Sequence, residues 1–134
     1  MDADAMQRES CVLHSSSAAP ALARRFVCSV LASWAIGDAY SDAPLVASEL
    51  VTNAVRHAAG DVAVSIARVD GTVRLAVSDG SETLPIVRDL EEARDGGWGL
   101  NIVDRLSSSW GLETYPRGKT VWCELAGSAR GISR

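Results

Sequence analysis

Residues 62–69 (VAVSIARV) and 72–79 (TVRLAVSD) each alternate with a period of two, and only Asp70-Gly71 separates them. That period sends successive side chains to opposite faces of a strand. An Asp-Gly pair between two such runs is a strong signal for a tight hairpin turn. A chain with this segment at its centre must build an antiparallel sheet around it. Residues 109–116 (SWGLETYP) and 119–125 (KTVWCEL) offer a second hairpin, turning at Arg117-Gly118. Residues 11–15 read as a short edge strand.

The remaining periodic segments are helical. Pro20 suits a first helical turn, and a helix from there to Gly37 gathers Leu22, Phe26, Val27, Val30, Leu31 and Trp34 on one apolar face. Ser41-Asp42 is a capping pair with Pro44 just behind it, which predicts a second helix to about Ala59, stopped by Gly60. A third spans 99–108. From 80 to 96 no period holds, and Pro85, Asp89, Glu91, Glu92, Arg94 and Asp95 fill the segment. A stretch that long in a compact domain is usually functional, and here it reads as a lid. The order of elements predicts an α+β fold, a two-layer α/β sandwich with helices on one face of a mainly antiparallel sheet. The folded domain is expected over 10–126, with disordered tails at 1–9 and 127–134.

Composition narrows the partners. A net charge of −4 and a pI near 5.1 argue against nucleic acid or an anionic membrane, which select basic surfaces. No apolar run is long enough to cross a bilayer. The acidic, polar start MDADAMQRES has no signal-peptide character, so a cytoplasmic chain is expected. Cys11, Cys28 and Cys123 form no C-x-x-C pair, and His14 and His57 are the chain's histidines. Buried, reduced thiols follow, and any metal would be a hard cation held by oxygen.

Within the second helix, SELVTNAVRHA carries a mixed polar arc. At about 100° per residue, Ala47, Leu50, Val51, Ala54, Val55 and Ala58 share one face, while Glu49, Thr52, Asn53, Arg56 and His57 share the other. A merely solvated helix side is the ordinary explanation of such an arc. Here it holds a carboxylate, an amide and two bases instead of a Glu/Lys ladder. In GGWGLNIVDRL, Gly96, Gly97 and Gly99 precede the helical pattern of Leu100, Val103 and Leu106. Glycines before a helix let a backbone approach an anion, though they also make plain hinges. RGKT at 117–120 is not a phosphate loop: the required leading glycine is replaced by Glu113, and a strand follows instead of a helix.

ELVTNAVRHA, VSDGS and GGWGLNIV, in that order, resemble the boxes of the ATPase family shared by gyrase, the ninety-kilodalton heat-shock chaperones, histidine kinases and MutL. The resemblance is strongest to its bacterial branch of anti-sigma-factor serine kinases and spans about 11–125. It implies a general-base role for Glu49 and a magnesium-ligand role for Asn53. By the same resemblance Arg56 reaches toward the phosphates and His57 stands near the site. Asp79, at the end of the apolar row Val73, Leu75 and Val77, would be the adenine-reading carboxylate. Gly97 and Gly99 would cradle phosphates ahead of Leu100. Thr120 fits the family's threonine on the last core strand. Period two, however, groups it with Trp122 and Glu124, opposite Val121, Cys123 and Leu125, so the face that meets the helices decides whether it reaches the site.

The implied activity is that of an ATP- and magnesium-dependent serine/threonine protein kinase. It would hold a sigma factor inactive and phosphorylate an anti-sigma factor antagonist, as a homodimer if it follows its branch. The family's D-x-G-x-G box is DGSET here, which favours an alternative: an ATP-binding regulatory module without significant kinase activity. A purely structural domain would need the polar arc, the lone acid and the glycine run to coincide by accident.

Overall fold

The computed structural model describes residues 6–57, 60–80, 100–116 and 118–127, with the side chain of His57 outside that set. Five strands, β1 (Met6–His14), β2 (Asp61–Val69), β3 (Thr72–Asp79), β4 (Ser109–Tyr115) and β5 (Gly118–Ala126), form one sheet in the order β1-β2-β3-β5-β4, each adjacent pair antiparallel. Helices α1 (Ala19–Ser33), α2 (Ala43–His57) and α3 (Leu100–Leu106) pack with it. This is the two-layer α+β sandwich that the alternation predicts.

The core lies between the layers. Val62, Val64 and Ile66 of β2, Val73, Leu75 and Val77 of β3, and Val121, Cys123 and Leu125 of β5 point at the helices and are buried. Each fully buried Val, Leu or Ile contributes roughly 1.5–3 kcal/mol. From the other layer come Ala23, Val27 and Leu31 of α1, Val46, Leu50 and Val51 of α2, and Leu100 and Val103 of α3. Burial raises the Cys123 thiol to about 12, so it stays protonated and inert. Cys28 is exposed instead of buried, on the outer side of α1.

The Asp70-Gly71 turn forms as expected. Both residues have positive φ, 54° and 88°, between the paired Val69 and Thr72, the geometry of a type I′ turn. Its carbonyl is tied down from the helical layer: a short 3-10 turn at Gly37–Tyr40, not anticipated from sequence, lets the Tyr40 hydroxyl donate to Gly71 O at 2.6 Å.

Several boundaries move. β1 starts at Met6, so residues 6–9, expected in a tail, lie in the sheet. They pair with Val69 to Ile66, so that β1 as a whole bonds β2 along its full length. An edge strand needs only main-chain partners, so its side chains need not alternate. Leu22 is exposed while Ala19 and Ala23 are buried, because the inward stripe of α1 runs through Ala19, Ala23, Val27, Val30 and Leu31 and leaves Leu22 beside it. The α1 helix stops before Gly37: Ala35 adopts φ 61°, and Ile36 N–H donates to Leu31 O at 3.0 Å, closing a Schellman-type end. An L-residue there is strained by about 1–2 kcal/mol. Ala35→Gly is therefore expected to raise unfolding free energy by roughly 0.5–1 kcal/mol after the added chain entropy of glycine. A urea melt measures it, and a destabilised variant would refute the assignment.

Gly118 belongs to β5, not to the turn, since it pairs with Tyr115. A Cβ at Gly118 would collide with the Asp79 carbonyl oxygen. The close approach of β3 and β5 at this rung requires glycine. The 81–96 part of the expected lid, the tails at 1–5 and 128–134, and Ala58, Ala59 and Arg117 lie outside the described residues.

Candidate functional site

Strand pairing brings the candidate residues of α2, β3 and β5 to one end of the sheet. Only residues 58–60 separate α2 from β2, and Val62, beside the start of β2, pairs with Asp79 at the end of β3. The C-terminal half of α2, with Asn53, therefore stands over the Asp79 end. Lys119 lies directly opposite Asp79 on β5. The α3 helix runs into β4, whose first residue pairs with Glu124 near the far end, so α3 begins toward the Asp79 end. The α2 helix packs against both β3 and α3.

Glu49 and Asn53 are one helical turn apart and share a face, but their surroundings differ. Glu49 is half-buried. Asn53 is 2% exposed, and its Oδ1 has no hydrogen-bond partner among the described residues. Leaving a buried acceptor unsatisfied costs about 1–3 kcal/mol, and native folds keep few such atoms. Thr52 is satisfied locally, its hydroxyl donating to Ser48 O at 2.8 Å. The polar arc is thus not one solvated side. Arg56 is exposed at its edge.

A neutral amide oxygen held out of water suits a hard cation that keeps most of its shell for phosphates and waters. Asn53 fits magnesium on that ground. Among the described residues no cluster of three or more His, Cys, Asp and Glu forms a metal site.

Asp79 closes the apolar row of β3, and its side chain is 2% exposed. The Lys119 ammonium, itself 6% exposed, donates to Asp79 Oδ2 at 2.7 Å. From sequence, Lys119 has a place in the closing strand and in a false phosphate loop, but no role in the site. The signal was available: period two puts Lys119 in the inward row with Val121, Cys123 and Leu125.

The same register corrects Thr120. It pairs with Ser78, not with Asp79, and the two hydroxyls meet at 2.7 Å on the sheet face away from the helices. There Ser65, Ala76, Ser78 and Thr120 floor a shallow groove, with Arg74 over the Trp122 ring at 4.4 Å and bonded to Glu124 at 3.4 Å. Thr120 therefore does not join the Asp79 site. Leu100 is a core side chain, 1% exposed, which leaves its main chain as the part available to a ligand. Gly97 and Gly99 and the His57 side chain lie outside the described residues.

Residues 14–125 match the model of the histidine kinase-like ATPase domain. No curated protein matches the chain. Among solved structures, the RsbU and RsbW domains of Rv1364c from Mycobacterium tuberculosis align with a TM-score of 0.67 and 21% identity, over 90% of this chain and 32% of that one. The chain thus spans about a third of that structure's length, and the likeness is one of fold. No helix among the described residues is long and apolar enough to cross a membrane.

Proposed function

The chain belongs to the histidine kinase-like ATPase domain family, and on that premise we propose that it is an anti-sigma-factor-type serine/threonine protein kinase using ATP and magnesium. In this reading it holds a sigma factor inactive and phosphorylates a serine of a small anti-sigma factor antagonist. The observation that carries the nucleotide part is Asn53: a buried amide oxygen without a partner, one turn from a half-buried carboxylate and at the same sheet end as Asp79.

The residues divide the work by chemistry. Asp79 accepts a hydrogen bond from the base and fixes its orientation. Asn53 supplies a neutral oxygen to the metal without adding negative charge beside a triphosphate. Magnesium, when bound, neutralises charge on the phosphate oxygens. Glu49 accepts the proton of the attacking seryl hydroxyl, whose oxygen bonds to phosphorus as the bond to the departing ADP oxygen breaks. Arg56 and the main chain at Gly97 and Gly99 are the proposed phosphate contacts, and His57 borders them.

A regulatory module that binds ATP without significant phosphoryl transfer is the second reading. One observation favours it: the DGSET box. In that case no phosphoserine forms on any antagonist.

Calorimetric titration with ATP, with and without magnesium, tests what both readings share. Magnesium-dependent binding is expected, weakened on the order of tenfold to a hundredfold in Asn53→Ala, the scale seen when metal-supporting groups are removed. No heat at any ratio would end both readings. An unchanged magnesium dependence in the variant would remove Asn53 from the metal.

A further inference from the structure

The Asp79–Lys119 pair is a composite hydrogen-bonding edge. Asp79 offers acceptors and no donor, whereas Lys119 offers donors and no acceptor. Both side chains are nearly excluded from solvent and the ammonium sits 2.7 Å from Oδ2. A base arriving at Asp79 therefore meets a carboxylate and an ammonium together.

A carboxylate alone discriminates sharply between purines. It accepts from a 6-amino group, but it faces a 6-oxo group as acceptor against acceptor, leaving both unsatisfied in a dry site. Sites built around one hydrogen-bond pattern reject the mismatched analogue by factors on the order of 10⁴. An adjacent ammonium removes that mismatch. With a 6-aminopurine, Asp79 takes the amine proton and Lys119 donates to N1. With a 6-oxopurine, Lys119 donates to the 6-oxygen and Asp79 takes the N1 proton. The flexible four-carbon stem of lysine lets the charge follow either edge.

We propose that Lys119 is a specificity-determining residue that opens the base site to 6-oxopurine as well as 6-aminopurine nucleoside triphosphates. The proposal rests on the nucleotide reading above and assigns a residue that reading does not use. Inosine triphosphate is the probe, because it differs from ATP only at this edge.

Calorimetry on the full chain with magnesium and each nucleotide decides it. Inosine triphosphate is expected to bind the natural protein within about tenfold of ATP. In Lys119→Thr, checked for folding by circular dichroism, ATP weakens on the order of tenfold with the lost hydrogen bond to N1, while the inosine nucleotide weakens by roughly a hundredfold beyond that. Lys119→Arg, which keeps a charged donor, retains the natural pattern. The assignment is overturned if the natural protein binds ATP but holds inosine triphosphate more than about tenfold weaker, a measurement needing no variant. It is equally overturned if Lys119→Thr folds and leaves the ratio unchanged. Binding of neither nucleotide by the natural protein removes the nucleotide reading together with this one.

Discussion

Glu49→Ala is expected to lower serine phosphorylation by a factor of about 10²–10⁴, the range for a general base, while ATP still binds. The separation follows from placement. Glu49 is half-buried on the helix face that also carries the fully buried Asn53, so truncating it leaves the amide oxygen and the Asp79 end in place. Glu49→Gln keeps the side chain's shape but not its basicity and should lose nearly as much. Single-turnover transfer to the antagonist, read beside a calorimetric ATP titration, measures both quantities. A transfer rate within threefold of the natural protein, on the order of 0.7 kcal/mol of barrier, would show that Glu49 is not the base. A natural protein that binds ATP yet phosphorylates nothing would select the regulatory-module reading.

The second large effect concerns stability. Asp79→Ala should destabilise the fold by about 3–5 kcal/mol, because it leaves the Lys119 ammonium buried without its carboxylate. That is a large fraction of the 5–15 kcal/mol typical of a domain. Base binding should be lost with it. Adding Lys119→Met to Asp79→Ala should recover most of the stability and none of the nucleotide binding, since removing both charges removes the desolvation penalty but not the need for an acceptor. Urea unfolding of the natural protein, both single variants and the double variant completes the cycle. A loss under about 1 kcal/mol in Asp79→Ala would mean that the ammonium reaches water in solution and the pair is not closed.

Much of the fold could be read because its central elements obey local rules. The β2–β3 hairpin announces itself through two alternating runs and a turn pair that tolerates positive φ. The α2 helix does so through its apolar face. What escaped has no local signature. The outer length of β1 is secured by main-chain bonds to β2 that any sequence can make. The end of α1 is set at Ala35, a residue that does not advertise a left-handed conformation, and not at the nearby Gly37. In the candidate site, sequence placed Glu49 and Asn53 on one arc but could not show that tertiary packing buries the amide far more deeply than the acid. Thr120 and Lys119 are a sharper case. Shifting by one position along a strand exchanges its faces, and period two already groups Lys119 with Val121, Cys123 and Leu125. The pairing of β5 with β3 supplies what the sequence lacks, the partner across the sheet, by setting lysine and not threonine opposite Asp79.

That last rung also bears on how the protein folds. Glu49 and Asn53 occupy a single helix, so their relative placement forms with the helix itself, a process of microseconds or less. Asp79 and Lys119 are 40 residues apart, and they meet only after the intervening chain closes a long loop and the β3–β5 ladder is zipped to its end. Closure of non-local ladders is slow and comes at a loss of chain entropy. The spacing of Glu49 and Asn53 is therefore local, whereas the Asp79–Lys119 pair is a product of completed topology. On the proposed reading, discrimination among nucleotides arrives with the native state and vanishes with it.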